Sequence, residues 1–337
     1  MKSIVISGYY GFDNFGDETV LKILTDFLKD ENVTVISANP TKTVLKYKVN
    51  SIKTFDFFKI ISFIKSSDIF ISGGGSLLQD VTSFRSLLYY IFLIKIALFF
   101  KKKVVIFAQG LGPLNRGISK FLVKNTLKKC DVVTVRDEKS MFLLRGWGIA
   151  KADLVCDPLF DLPCTHAELE RKKIGVQLRG FKTLSDNFLS ELAKQILKSF
   201  PNREIEVFSF QDDLDLKVCK KFEEKLKNIN PNVSCKVYES MEYNDYVSYF
   251  SQLEYMVAMR FHACIVALKC GVKTLAIAYD DKVQKLADEA GLPCLSLINP
   301  NDMDILFSML KQLSSEKLYK FADGKKFNWS IFENIIR

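Results

Sequence analysis

Histidine and tryptophan each occur only twice in this 337-residue chain, and proline eight times. The eight cysteines, at 130, 156, 164, 219, 235, 264, 270 and 294, form no C-x-x-C pair and no dense cluster. A disulfide framework or a zinc site is therefore not expected, and reduced, mostly buried thiols in a cytoplasmic protein fit the spacing better. Short repeats and low-complexity segments are absent. The opening MKSIVISGYYGF starts at once with a strand pattern and lacks the apolar core and cleavage site of a signal peptide, so the mature protein is expected to start where the sequence does. No apolar run is long enough to span a bilayer. The longest, Leu87 to Phe100 (LLYYIFLIKIALFF), would extend about 21 Å as a helix, against a hydrocarbon layer of about 30 Å. Zinc-finger, RRM and basic-zipper patterns are missing too, so nucleic acid is not an expected partner.

Apolar types make up 48% of the chain and charged types 26%, the profile of an ordered globular protein. Lys and Arg number 48 against 39 Asp and Glu, a net charge of +9 that favours anionic ligands without naming them. The length suggests about two domains. β-branched runs read as strands at Lys2–Ser7, Val33–Ser37, Asp68–Ser72, Lys103–Ala108 and Val132–Arg136, then again at Lys173–Leu178, Glu204–Phe210, Ser234–Val237, Tyr255–Ala258 and Thr274–Ala278. Helical spacing lies between them, as at Glu18–Lys29, Ser185–Ser199, Asp213–Lys227 and Lys282–Ala290. This βαβα alternation occurs twice and predicts an α/β protein of two Rossmann-like parallel-sheet domains, residues 1–160 and 161–337. The boundary falls in Asp157 to Lys172, which holds two prolines and no sustained periodicity. Ligands of such sheets bind beyond the carboxyl ends of the strands, so the two domains are expected to face a cleft. Leu87–Lys103 reads as a helix buried beneath a sheet or, given its aromatics and Lys101, Lys102 and Lys103, as a peripheral contact with an anionic membrane.

Several strand exits carry residues suited to chemistry. The first runs into Gly8-Tyr9-Tyr10-Gly11-Phe12-Asp13-Asn14-Phe15-Gly16-Asp17-Glu18. Asp17 could be a helix cap there, but an acid at this position also suits a base acting on a hydroxyl, and it would repel a phosphate. Gly73, Gly74 and Gly75 end another strand, and Gln109 and Gly110 a further one; such exits either turn the chain or offer N–H groups to an anion or sugar. Arg136 could pair with Asp137 or Glu138, or grip a carboxylate or phosphate, and Arg179 is read as its equivalent in the second half. His262 enters a helix directly after a strand beside Arg260, which favours an acid/base role over a structural one, and Lys282 adds a cation at a later strand exit. His166 has no such company and reads as surface. Gln211-Asp212-Asp213-Leu214-Asp215 looks superficially like a glycosyltransferase metal motif, but helix capping explains it as well.

Taken in order, GYYGFDNFGDETVL, SGGGSLLQD, AQGLGPL, TVRDEKS, CDPLF, MRFHACIVAL and AYDDKV resemble the polysaccharide pyruvyl transferase family, most closely the bacterial type that acts on a secondary cell-wall polysaccharide used in S-layer anchoring. The resemblance runs from the first strand to about residue 290; family members often carry Pro where Asp281 stands. It implies a GT-B-like fold, phosphoenolpyruvate as donor, and a lipid-linked saccharide as acceptor, ending in β-linked N-acetylmannosamine. The product would be a 4,6-linked pyruvate ketal, with phosphate released. It places the family's functional residues on Asp17, Arg136, His262 and Lys282. The strand exits add Gly8, Tyr9, Asn14, Gly73, Gly74, Gly75, Gln109, Gly110, Arg179 and Arg260 as substrate-binding candidates. No metal or other cofactor is needed, because Arg136, Arg260, Lys282 and Arg179 would neutralise the donor. The expected location is the cytoplasm, at the inner face of the plasma membrane if the lysines engage lipid. Two other readings stay open: a nucleotide-sugar glycosyltransferase, which shares the two-domain layout, and a non-catalytic carbohydrate-binding relative.

Overall fold

Strands covered by helices on both faces read as unbroken apolar runs. The first, β1 (Ser3–Ser7), leads to α1 (Phe15–Phe27) and to β2 (Asn32–Ser37), then α2 (Pro40–Tyr47) and β3 (Asn50–Lys53). The chain next crosses back through α3 (Phe57–Ser66) to β4 (Ile69–Ser72). It continues through α4 (Phe84–Phe99), β5 (Lys103–Gln109), α5 (Gly117–Leu127), β6 (Val132–Val135), α6 (Glu138–Gly146) and β7 (Ala152–Leu154). All pairings are parallel, in the order β3-β2-β1-β4-β5-β6-β7. The reversal of strand order falls between β1 and β4.

This computed structural model describes residues 1–164, 172–181, 184–297, 303–315 and 321–336; His166 lies outside them. The second series begins with β8 (Lys173–Gln177), α7 (Asp186–Ser199), β9 (Glu204–Phe208), α8 (Asp212–Ile229), β10 (Cys235–Tyr238) and α9 (Tyr243–Phe250). It goes on to β11 (Leu253–Ala258), α10 (Phe261–Lys269), β12 (Lys273–Ala278), α11 (Asp281–Ala290), β13 (Cys294–Ser296) and α12 (Met303–Ser315). These strands are also parallel, ordered β10-β9-β8-β11-β12-β13, with the reversal between β8 and β11. The fold class is therefore the one expected: α/β, with two parallel sheets.

Three strands went unpredicted, β3, β7 and β13, and each is an edge strand of three or four residues. An edge strand is half covered and carries little of the apolar pattern that marks a central one. The second unit also stops short of the expected residue 337: it spans Leu162–Lys325, whereas Met1–Asp161 and Lys326–Arg337 form the first. The cause is aromatic. Phe327, Trp329 and Phe332 pack on Phe107, Trp329 stacks on Phe27, and Asp161 accepts hydrogen bonds from Phe327 N (2.5 Å) and Trp329 Nε1 (2.6 Å). These contacts hold the last helix, α13 (Ser330–Ile336), to the first sheet.

All eight cysteines are free thiols, four buried and four half-buried. The apolar α4 turns Leu87, Tyr90, Ile91, Leu93, Ile94 and Ala97 into the core beneath the first sheet. Among the described residues no helix is long and apolar enough to cross a membrane.

Candidate functional site

At the switch point of a doubly wound sheet, adjacent strands send their connections to opposite faces and leave a crevice at their carboxyl ends. In the first unit, the β1 and β4 exits occupy that position. Asn14 caps α1 by accepting from Gly16 N (3.2 Å), so Asp17 is not the cap; it stands in the first helical turn, where the electropositive helix start favours an anion. Asn14, a substrate-binding candidate, is thus occupied in starting the helix. Glu18 is buried and ties the glycine loop down: its carboxylate accepts from Gly11 N (2.7 Å) and from the Tyr47 hydroxyl. Tyr9 stacks flat on Phe12, ring centroids 4.2 Å apart.

The glycines divide by role. At Gly8 and Gly73 an added Cβ would collide with the buried ring of Tyr10, and at Gly74 it would lie 2.8 Å from Val20, so these three make room for core packing rather than for a ligand. Gly75 differs. It adopts a φ of +100°, and a Cβ there would sit 2.7 Å from Asp17 Oδ1, so its missing side chain leaves space for the carboxylate. At Gly110 an added Cβ would lie 2.9 Å from Ser76 Oγ and 3.5 Å from both Arg136 Nε and Asp137 Oδ2. Gln109 is wholly buried; its side chain donates to Gly73 O and accepts from Leu77 N (3.3 Å), fastening the β4 and β5 exits together rather than presenting itself to a substrate.

Burial first, then the charge of Asp17, holds the hydroxyls of Tyr10 and Tyr90 far above the ordinary tyrosine range. Both stay protonated, and Asp17 is the residue of this group suited to act as a base.

Arg136 has a buried partner that neither local alternative named. Its Nη1 lies 2.5 Å from Oδ2 of Asp157, and both side chains are buried. Asp137 caps α6, accepting from Ser140 N (2.8 Å) and Ser140 Oγ (2.7 Å). Asp157 belongs to CDPLF but stands 21 positions from its partner, so the pair is not legible from either motif alone.

The second unit repeats the logic with other residues. Arg260 Nε and Nη2 make a two-pronged ion pair with Asp215, 2.7 Å on each prong, and Nη2 also reaches Gln211 Oε1 at 3.2 Å. Asp215, fully buried, further accepts from Phe210 N (3.0 Å) and Gln211 N (3.2 Å). The acidic segment read as a cap or a metal motif is therefore the counter-ion of the arginine before His262. Among the described residues no cluster of His, Cys, Asp or Glu could hold a metal ion. Gln177 Oε1 accepts from Arg260 N (2.7 Å), fixing the start of α10 on the end of β8.

Arg179 meets no carboxylate among the described residues. Its Nη1 donates to the Tyr279 hydroxyl, its plane lies over that ring at 4.8 Å, and its buried Nε has no hydrogen-bond partner among them. The sequence suggests that Arg179 is the equivalent of Arg136, but the topology differs: β8 is the counterpart of β1, so Arg179 corresponds to Tyr9. His262 is the second residue of α10 and Lys282 the second residue of α11. Both stand in electropositive first turns, after the neighbouring strands β11 and β12. Asp280 caps α11 through Val283 N (3.2 Å) and lies 3.3 Å from Lys282 Nζ. Asp281 occupies the first helical position, where proline is equally at home, so the difference from the family pattern leaves the backbone path to Lys282 intact.

The sequence model of the family described as polysaccharide pyruvyl transferase matches residues 14–281, which includes Asp17, Arg136 and His262 and ends one residue before Lys282. No curated protein matches the sequence. Solved structures resemble the chain through nearly its whole length. S. aureus MnaA, in a co-structure with UDP, has a TM-score of 0.69 at 10% identity and covers 100% of this chain and 95% of its own. UDP-GlcNAc 2-epimerase from Neisseria meningitidis gives 0.60 at 10% (100% and 99%), and MurG from Acinetobacter baumannii 0.59 at 11% (98% and 97%). At such identities the likeness establishes a GT-B-like fold, in line with the two parallel sheets.

Proposed function

Since the chain belongs to the polysaccharide pyruvyl transferase family, we propose that it transfers the enolpyruvyl group of phosphoenolpyruvate to a terminal amino sugar, β-N-acetylmannosamine on a lipid-linked saccharide, as a 4,6-ketal at the cytoplasmic side of the membrane. The observation that carries the reading is the set of groups at the carboxyl edge of β8, β11 and β12: Arg179, His262 and Lys282, two of them in helix first turns. A donor with a carboxylate and a phosphate needs several fixed positive groups, and this edge supplies them.

The chemistry balances without another reactant. One sugar hydroxyl attacks the carbon bearing phosphate while a proton is delivered to the methylene carbon, which becomes a methyl group. The second hydroxyl then displaces inorganic phosphate. His262 is the proton donor and later faces the departing phosphate; Asp17 removes the hydroxyl proton; Lys282 neutralises phosphate. Arg179 takes the carboxylate. Arg260 and Arg136, each neutralised by a buried aspartate, act as positioning residues for His262 and for the β6 exit. Stacked Tyr9 and Phe12 offer an aromatic plate to a sugar ring.

The test is incubation with phosphoenolpyruvate and a β-N-acetylmannosaminyl lipid acceptor. Phosphate release, together with a product heavier by one pyruvate less water, is expected. No product across a panel of amino-sugar acceptors overturns the assignment, and turnover of a sugar nucleotide with phosphoenolpyruvate inert would replace it with a glycosyltransferase.

A further inference from the structure

Helices α3, α4 and α5 form one layer against the first sheet. α4 packs against α3 and α5, and all three feed a single core cluster through Ile60, Ile64, Leu93, Ile94, Val123 and Leu127. Their outer side is unusual in two respects. Not one Asp or Glu lies within the three helices, whereas Lys59, Lys65, Arg85, Lys95, Lys120 and Lys124 do. The same side also exposes large apolar groups: Phe58 is 91% exposed, Phe99 76% and Phe121 61%, with Leu88, Phe92 and Ile118 beside them. Along α4, the exposed positions 85, 88, 92, 95 and 99 recur at intervals of three and four residues, so Arg85, Leu88, Phe92, Lys95 and Phe99 form a stripe opposite the buried one. Phe57 bridges to it, 5.9 Å from Phe92 and 6.3 Å from Tyr89. Lys101, Lys102 and Lys103 follow the end of the stripe.

We infer that this three-helix face docks on an anionic phospholipid surface. Aromatic side chains that would be costly to leave in water enter the headgroup boundary, while acid-free cationic helices meet the negative leaflet. A protein partner would need acidic groups to match the cations and a cavity for each protruding ring; a fluid anionic interface supplies both without a fixed shape. The sequence had pointed to Leu87–Lys103 alone. The structure turns half of that segment into the core and adds α3 and α5 to the exposed half. The inference stands on the make-up of this face and does not depend on the pyruvyl reaction.

Co-sedimentation of the full chain with phosphatidylcholine vesicles, with and without phosphatidylglycerol, tests it. Binding is expected only to the anionic vesicles and is weakened by salt. Removing one cation should lower the partition coefficient about fivefold, so Lys95→Gln and Lys120→Gln should each do so. Phe58→Glu with Phe99→Glu should abolish binding. Leu45→Glu, on an equally exposed apolar residue of α2 outside this core cluster, should not change it. Far-UV circular dichroism of each variant should match the parent, since these side chains support no core. Activity toward a soluble acceptor is measured alongside, so a failed function assignment leaves the vesicle result standing. Equal binding to neutral vesicles, or no binding, overturns the inference. So does self-association lost in Phe58→Glu without vesicle binding, which would make the face an interface between copies.

Discussion

Replacing Asp215 by Asn removes one charge and leaves the shape almost unchanged, so it isolates what that charge does for Arg260. The Arg260 guanidinium is 6% exposed and receives both of its short contacts from Asp215. Neutralising the aspartate strands a cation in the interior, at a cost of about 3–5 kcal/mol. For a unit of this size each kcal/mol moves the midpoint by about 2–4 °C, so the transition of the second unit should fall by roughly 6–20 °C. Differential scanning calorimetry of the full chain reads this directly, because two units can melt as separate transitions. A second variant sharpens the argument. Asp215→Leu combined with Arg260→Met removes both charges, and a buried pair replaced by apolar groups is often near neutral in stability, so most of the lost midpoint should return. That double variant should also keep its affinity for phosphoenolpyruvate if Arg260 positions rather than grips. A midpoint shift below about 2 °C in Asp215→Asn would refute the structural reading of the pair. Loss of donor binding in a well-folded double variant would refute the division of roles.

Arg179→Lys keeps the charge but loses the planar fork; with one charge-assisted hydrogen bond worth about 1.5–3 kcal/mol, the Kd for phosphoenolpyruvate by titration calorimetry should rise roughly 10–150-fold. An unchanged Kd removes Arg179 from the carboxylate. Gly75→Ala puts a methyl group against Asp17 Oδ1 at a φ of +100°, so kcat should fall by about 10²–10⁴ if Asp17 is the base, while phosphoenolpyruvate binding is kept. Asp80 is pushed up by burial but more strongly down by surrounding donors, chief among them the hydrogen bonds from Asn115 N (2.8 Å) and Arg116 N (3.0 Å), together with the Arg116 charge, so its carboxyl titrates below the ordinary range. A depressed folded value contributes stability above the unfolded value and loses it as pH falls. The midpoint gap between parent and Asp80→Asn should therefore be full at pH 7 and close below about pH 4, and a gap independent of pH would count against it.

Central strands and the repeat of βαβα were legible because period and β-branching are local properties. Edge strands were not: NSIK and ADL look like loop until a neighbour's hydrogen bonds complete them. The return of Phe327, Trp329 and Phe332 to the first sheet was equally hidden, since their partners Phe27, Phe107 and Asp161 lie 166 or more positions upstream. Strand-exit residues were found by the same local logic, and the topology explains why they cluster: Asp17 and Gly75 follow the two strands at one reversal of order, and Arg179 and His262 follow the two at the other.

What the chain order concealed was which charges are spent. Arg136, Arg179, Arg260 and Lys282 look alike as four cations at strand exits, yet two of them face buried aspartates, Asp157 and Asp215, that stand far off in sequence. A guanidinium held on two sides by one carboxylate is a structural element; to bind a substrate anion it would first have to leave a partner whose other contacts are all satisfied by backbone and glutamine. Arg179, held instead by a tyrosine hydroxyl and ring, gives up far less to meet a carboxylate. The ranking of cations for the donor thus follows from their counter-ions, a property of the folded chain that no motif contains, and the Arg179→Lys titration set beside the Arg260 double variant decides it. A larger loss of donor affinity in the double variant than in Arg179→Lys would reverse that order.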